Sequence, residues 1–210
     1  MKNIFTILKK TNAIITNSHI VYTSGKHGSI YINKDAIYPH TKLASNVGEM
    51  FAERARNLEI DVVAAPALGG IILSQWTAYH LSKLKKKEIL GLYTEKTDNK
   101  DQVLARGYEN LVKGKNVLVI EDLTTTGSSV KKVMKTIKKA KGKVVAVGVM
   151  INRDSKNINK KLIGAPFFSL AVLKAEAFDE KNCPLCKLKV PVNTTVGHGK
   201  KYLQTKSSVI

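Results

Sequence analysis

Cysteine, aromatic residues, acidic side chains and long apolar runs are all scarce in this chain, and each scarcity excludes something. Two cysteines in 210 residues cannot make a disulfide framework. Aromatics are 6% of residues and are not interleaved with the basic runs, which argues against a nucleic-acid-binding module, as does the lack of a helix-turn-helix or RNA-binding motif. The longest nearly apolar stretch, Val62 to Leu73, is broken by Pro66 and two glycines and falls short of the ~20 residues a membrane span needs. At the start of the chain the apolar run reaches only from Ile4 to Leu8, without a small-residue cleavage site. No secretory signal is expected there, and a cytoplasmic location follows as the expectation.

Acidic residues number 16 against 35 Lys and Arg, a formal charge of +19. That excess predicts anionic partners, and at this level nucleic acid, membrane phosphate and a phosphorylated small molecule all stay open. With 43% hydrophobic residues the chain has enough apolar material for a folded core rather than a disordered basic arm.

Short β-branched runs alternate with longer stretches of helical period, the pattern of an α/β fold with a parallel central sheet flanked by helices. The expected strands are Ile60 to Ala65, Ile89 to Thr94, Val117 to Ile120, Val144 to Ile151 and Phe167 to Leu173. Gly70 to Leu84 and Ser128 to Lys141 lie between them as helices. In the second, Val130, Val133, Met134 and Ile137 recur as one buried face, while Lys131, Lys132, Lys135, Lys138 and Lys139 form an opposite face read as solvated. Pro39 precedes a further helical pattern with Leu43, Val47, Met50 and Phe51 on one side. Residues 1–175 are expected to form one domain, with 1–40 as a hood over one edge of the core. Residues 176–210 are expected to be a C-terminal extension, mobile from about Lys200.

The most informative segment is NVLVIEDLTTTGSSVKKVM, a buried strand that ends in two carboxylates, passes through hydroxyl residues and a glycine, and opens a helix. Backbone N–H groups of a tight turn at a helix N-terminus converge, and the helix dipole adds positive potential, so such a turn can hold a phosphate monoester. Thr125, Thr126, Gly127, Ser128 and Ser129 form that expected cradle, with Gly127 keeping a Cβ out of the ligand's way. Glu121 and Asp122 sit at the carboxyl edge of the sheet, where open α/β sheets bind ligands, and can accept hydrogen bonds from vicinal sugar hydroxyls. Read singly, they are equally a surface charge and a turn cap. The combination is what recognition of a ribose 5-phosphate requires.

VLVIEDLTTTGSS resembles the phosphoribosyl pyrophosphate signature of the type I phosphoribosyltransferases, departing from it at Thr124, a polar residue in a usually aliphatic place whose hydroxyl is expected to bond back to the chain. Three more segments make the chain similar to orotate phosphoribosyltransferases. YTSGKHGSIYIN resembles their base-binding segment, with Thr23, Ser24, Gly25, Lys26 and His27 in matching places. APALGGIILS resembles their pyrophosphate loop, and MINRD sets Arg153 where the family places an arginine near the base's carboxylate, a partner that suits a guanidinium fork.

The resemblance implies transfer of a phosphoribosyl group from phosphoribosyl pyrophosphate to orotate, with Mg2+ as cofactor and a homodimer as the usual assembly. Its implied donor contacts are Thr124 to Ser129 for the 5-phosphate, Glu121 and Asp122 for the ribose, and Leu68, Gly69 and Gly70 for pyrophosphate. A Lys-x-His-Gly element found on the family's mobile loop is absent, which leaves Lys96, Lys100 and Arg106 as its cations. Gly69 replaces a residue that is often basic. Lys26 and Arg153 are the implied base ligands, helped by Thr23, Ser24 and Gly25.

Cys183 and Cys186 form a Cys-x-x-Cys in an extension that also looks like one subgroup of that family. Reduced structural thiols are the expectation; a structural zinc at Cys183 and Cys186 is the alternative, for which His198 with His80 or His27 would have to complete the four ligands. Two functional alternatives stand beside the main one. The first is a phosphoribosyltransferase for another base, and the second is a non-catalytic sensor of phosphoribosyl pyrophosphate that binds nucleic acid, supported by the charge and opposed by the composition.

Overall fold

The computed structural model describes residues 3–207. The chain opens with a short helix, α1 (Ile4–Lys10), which Asn3 caps by accepting the Phe5 N–H at its side-chain oxygen. Four two-residue strands follow: β1 (Ile14–Ile15), β2 (Ile20–Val21), β3 (His27–Gly28) and β4 (Tyr31–Ile32). They pair antiparallel as β1 with β4 and β2 with β3. Helix α2 (Thr41–Arg54) then leads into the main sheet through β5 (Val62–Pro66), α3 (Gly69–Lys85), β6 (Leu90–Lys96) and β7 (Gln102–Val103). Beyond α4 (Tyr108–Val112) come β8 (Asn116–Thr124), α5 (Ser128–Lys139), β9 (Lys143–Asn152), α6 (Lys160–Ile163) and β10 (Phe167–Val172). The chain closes with α7 (Pro184–Lys187) and α8 (Gly199–Ser207).

The sheet has six strands in the order β10, β9, β8, β5, β6, β7. Five run parallel, and only β7 at the edge is antiparallel to its neighbour. This is the parallel α/β sheet expected from the pattern. One strand end differs: β8 continues through Glu121 and Asp122 to Thr124, because its parallel pairing with β9 persists to Thr124 opposite Asn152. The two carboxylates therefore leave the sheet from within a paired strand.

Period-two alternation divides β8 between two cores. Leu118 and Ile120 face the layer that holds Val47 and Phe51 of α2 with Leu73 and Leu81 of α3. Val117 and Val119 face the layer of Val130, Val133, Met134 and Ile137 of α5. A strand buried on both faces has no alternation of polarity to show, which is why β5 reads simply as VVAAP.

The tail expected to be mobile from Lys200 is instead helix α8 up to Ser207, and residues 208–210 lie outside the described residues. It is held because the His198 N–H donates to the Val21 carbonyl at 2.8 Å and the Tyr202 hydroxyl donates to Glu180 at 2.7 Å. No helix among the described residues is long and apolar enough to cross a membrane.

Phe51 is fully buried and meets the Phe168 ring at a centroid distance of 6.3 Å, joining α2 to β10. Phe51→Ala is expected to cost about 3–5 kcal/mol of unfolding free energy, read by urea denaturation. A loss below about 1 kcal/mol would mean that this contact closes no cavity-sensitive core.

Candidate functional site

The carboxyl ends of β5, β6 and β8 open into a cleft of about 420 Å³ whose walls include Lys34, Leu68, Gly69, Lys96, Lys100, Glu121, Asp122, Ser128, Ser129 and Lys132. Asp122 and Glu121 are only 5% and 7% exposed. Neither is a surface charge or a simple turn cap. Asp122 continues the face of Leu118 and Ile120, where Lys34 Nζ lies 2.9 Å from its Oδ2 and the Tyr38 hydroxyl donates to the same oxygen at 3.2 Å. Glu121 accepts the Asp122 N–H at 3.1 Å.

These partners divide the charge of the pair. Burial first, then the neighbouring Asp122 charge, pushes the Glu121 carboxyl well above the usual carboxylate range. Burial would lower the Lys34 ammonium, but the Asp122 carboxylate outweighs it and the net direction is upward. Tyr38 is raised by burial and then by Asp122, so it stays a hydrogen-bond donor. Of the pair, Glu121 is the member that burial and its neighbour push toward the protonated form.

Two glycines are set by their surroundings. A Cβ on Gly69 would stand 1.9 Å from Asp122 Oδ2 and 2.8 Å from Lys34 Nζ. The small residue is therefore required by the closeness of that ion pair, and the cation missing at position 69 is supplied beside it by Lys34. Gly127 has φ +74°, and its Cβ would meet Ile163 Cδ1 at 2.8 Å. It is needed for the left-handed turn and for packing, not to make room for a ligand as the sequence suggested.

The turn before α5 is organised from within. Thr124 is buried and its hydroxyl accepts the Gly127 N–H at 3.0 Å, as expected of a polar residue bonded back to the chain, while Thr126 accepts the Ser128 N–H at 3.3 Å. Thr125, Thr126, Ser128 and Ser129 are exposed, with Ser128 and Ser129 on the cleft wall. On the opposite wall the Ala67–Leu68 peptide is cis, Leu68 is 84% exposed, and buried Gly70 follows Gly69 in the first turn of α3.

The segment matching the expected covering loop is a hairpin between β6 and β7, closed where the Lys100 N–H donates to the Thr97 carbonyl at 2.8 Å. It brings Lys96 and Lys100 to the cleft but not Arg106, which pairs with Glu95 at 2.7 Å. Lys132, assigned from sequence to a solvated face, donates to the Lys100 carbonyl and lines the cleft. The remaining lysines of that face, Lys131, Lys135, Lys138 and Lys139, are exposed as expected.

A second cavity of about 340 Å³ adjoins the cleft, with Lys34 and Leu123 lining both. Tyr22, Thr23, Ser24, Tyr31, Arg153 and His198 also line it. Arg153 follows β9, tied by its N–H to the Thr124 carbonyl at 2.9 Å, and its guanidinium lies 4.6 Å from the Tyr22 ring centroid. Its Nε is buried without a hydrogen-bond partner, and the residue as a whole lines the cavity. Gly25 and Lys26 do not line the cavity: Gly25 is in the hairpin turn with φ +78°, and Lys26 pairs with Asp179 at 3.3 Å. Sequence reasoning missed Lys34, Tyr38, Lys132, Tyr22 and Tyr31. Only Lys34 carried a signal, as a lone cation just after a β-patterned segment.

The phosphoribosyl transferase domain family matches residues 33–166. An orotate phosphoribosyltransferase of Caldanaerobacter subterraneus subsp. tengcongensis is 34% identical over 179 residues, 85% of this chain and 88% of that protein. One of Thermotoga maritima is 35% identical over 196 residues, 93% and 98% of the two chains. Among solved structures, Mycobacterium tuberculosis H37Rv orotate phosphoribosyltransferase in complex with Fe(III) dicitrate superposes with a TM-score of 0.65 at 19% identity, covering 81% of this chain and 95% of that one.

The Glu121 proton gives a pH test. Its folded-state pKa is raised, so between the unfolded value, ~4.3, and the folded one the folded chain binds more protons than the unfolded chain and stability falls as pH rises. Glu121→Gln is expected to melt like the wild type near pH 4 and to gain on it progressively toward pH 7. Parallel melting curves at every pH would show that Glu121 ionises normally.

Proposed function

The chain belongs to the orotate phosphoribosyltransferase family of phosphoribosyl transferase domains, and from that membership we propose how its two cavities transfer the 5-phosphoribosyl group of phosphoribosyl pyrophosphate to orotate. The products are orotidine 5'-phosphate and pyrophosphate, a step of pyrimidine nucleotide biosynthesis. The single observation that carries the reading is that a lysine-lined cleft with two buried carboxylates meets, at Lys34 and Leu123, a pocket lined by Arg153. A sugar donor with several phosphates suits the first and a planar carboxylate suits the second.

In this reading the donor's 5-phosphate sits on the turn from Thr125 to Ser129 and the N-terminus of α5. Asp122 accepts from one ribose hydroxyl, and Glu121, which burial pushes toward its protonated form, faces the neighbouring one. Leu68, Gly69 and Gly70 present main chain to the pyrophosphate. Lys96, Lys100, Lys132 and Lys34 balance its charge. A ring nitrogen of the base attacks C1 as the C1–O bond to pyrophosphate breaks, with inversion and an oxocarbenium-like transition state. The protein's part is alignment and electrostatics. Arg153 holds the base's carboxylate while Tyr22 packs against the guanidinium. Arg106 and Lys26, engaged by Glu95 and Asp179, have no role in it.

The donor set suits a magnesium ion carried by the substrate: the cleft offers two carboxylates, one already paired with Lys34, and Mg2+ takes phosphate oxygens and waters with one or two carboxylates. When bound it would neutralise the leaving pyrophosphate, held chiefly by phosphate oxygens and waters with Asp122 as the carboxylate at hand. A homodimer belongs to the same proposal, supported by the exposed apolar side chains of Leu68, Ile72 and Tyr79 along α3 and its N-cap. A cytoplasmic location also belongs to it, since both substrates are soluble anions.

Incubation with phosphoribosyl pyrophosphate and either orotate, uracil or purines tests the reading, with pyrophosphate release expected for orotate alone. Turnover of a purine and not of orotate would sink it. Arg153→Ala is expected to raise KM for orotate at least about tenfold more than KM for the sugar donor, the loss of a charge-assisted contact. Equal effects on both would remove Arg153 from the base pocket. Asp122→Asn combined with Glu121→Gln should lower kcat by orders of magnitude in a protein that still folds.

A further inference from the structure

Away from both cavities, four side chains with soft or borderline donor atoms converge on one point. His19 precedes β2, His27 begins β3, and Cys183 and Cys186 bracket the first turn of α7. Their ligand atoms all lie within 4.8 Å of one another. We propose that His19, His27, Cys183 and Cys186 form a structural zinc site that fastens the C-terminal extension to the β2–β3 hairpin.

The distances suit it. Tetrahedral zinc with bonds of ~2.0–2.1 Å to nitrogen and ~2.3 Å to sulfur sets its ligand atoms about 3.3–3.8 Å apart. His19 Nε2 lies 3.8 Å from Cys183 Sγ and 3.6 Å from Cys186 Sγ, and His27 Nδ1 lies 3.3 Å from Cys186 Sγ. Only the two imidazole nitrogens, 2.8 Å apart, are closer than that spacing, by about half an ångström. The tautomer suits it as well. His19 Nδ1 is 2.7 Å from the Val190 carbonyl, which can only accept, so Nδ1 carries the proton and Nε2 turns a lone pair inward. A backbone carbonyl orienting a metal-binding histidine through its far nitrogen is the usual support for such a ligand.

Burial and charge point the same way. His19, His27 and Cys183 are buried, and the edge of the cluster is closed by Tyr202, whose ring meets that of His27 at 5.0 Å. Two thiolates and two neutral imidazoles cancel the charge of Zn2+, so the filled site buries no net charge. Four protein ligands leave no open position, which makes the site structural rather than catalytic. The histidines are also strapped to the extension by backbone, His27 to Phe178 through two bonds of 2.8 Å and His19 to Asn193 through one of 2.8 Å.

The pairing expected from sequence is corrected. His80 lies on α3 with its ring nitrogen 2.9 Å from Ser45 Oγ, and His198 faces Thr23 at 3.1 Å. His19, which the sequence did not single out, replaces them.

The test uses the full chain and the metal alone, and is independent of which base the enzyme takes. Protein purified without added chelator is expected to hold about one zinc per chain by elemental analysis, with Cys183→Ser and Cys186→Ser each abolishing it. Because those variants can fail to fold, wild-type protein stripped by chelator and reloaded with Co2+ gives the second measurement. Intense visible bands of tetrahedral cobalt with thiolate charge transfer, and a melting temperature restored by Zn2+, are expected. A featureless cobalt spectrum, a melting temperature indifferent to Zn2+, or a Cys183–Cys186 disulfide in the purified protein would each overturn the proposal.

Discussion

The end of β8 imposes the constraint from which the site follows. A strand packed on both faces ends in two consecutive acids, both nearly buried where they line one cleft. Two ionised carboxylates cannot stay unpaired there, since desolvation of each costs several kcal/mol. One is paired with Lys34 and accepts a hydrogen bond from Tyr38, and burial pushes the other toward its protonated form. The arrangement ties the segment before α2 to the sheet, demands glycine at position 69, and leaves a local polarity that a ribose diol can use.

Around that pair, the surplus of positive charge acquires a narrower meaning. Lys34, Lys96, Lys100 and Lys132 turn toward one cleft. They come from the N-terminal segment, the β6–β7 hairpin and α5, so no single run of lysines in the sequence announces them. Lysines such as Lys131, Lys135, Lys138 and Lys139 stay exposed, where they contribute to solubility and long-range attraction of anions.

The base-side cavity shows a similar division of labour. Arg153 is positioned by a strand end and by its bond to the Thr124 carbonyl, so the turn before α5 and Arg153 are mechanically one unit. The opposite wall belongs to the β2–β3 hairpin and the extension, which contribute Tyr22, Thr23, Ser24 and His198. Two-residue strands have little stability of their own. Their order depends on what anchors them, and in this chain the extension does so through backbone bonds and the His and Cys cluster.

The sequence alone determined the parallel sheet, the buried face of α5 and the strand–turn–helix segment with its acids and hydroxyls, because these are local: periodicity and turn chemistry are written within a dozen residues. It misplaced the end of β8, since two acids look like an exit to solvent when their partners, Lys34 and Tyr38, are more than eighty positions away. It missed Lys132 because a solvated helix face and a cleft wall have the same pattern. It offered Lys26 and Arg106 as ligands because charge is visible in sequence while the ion pairs with Asp179 and Glu95 are not. Only the tertiary structure decided which cations face the cleft, which carboxylate is pushed toward its protonated form, and which histidines meet Cys183 and Cys186. Each of these depends on distances of a few ångströms between residues brought together by packing, and no local pattern encodes them.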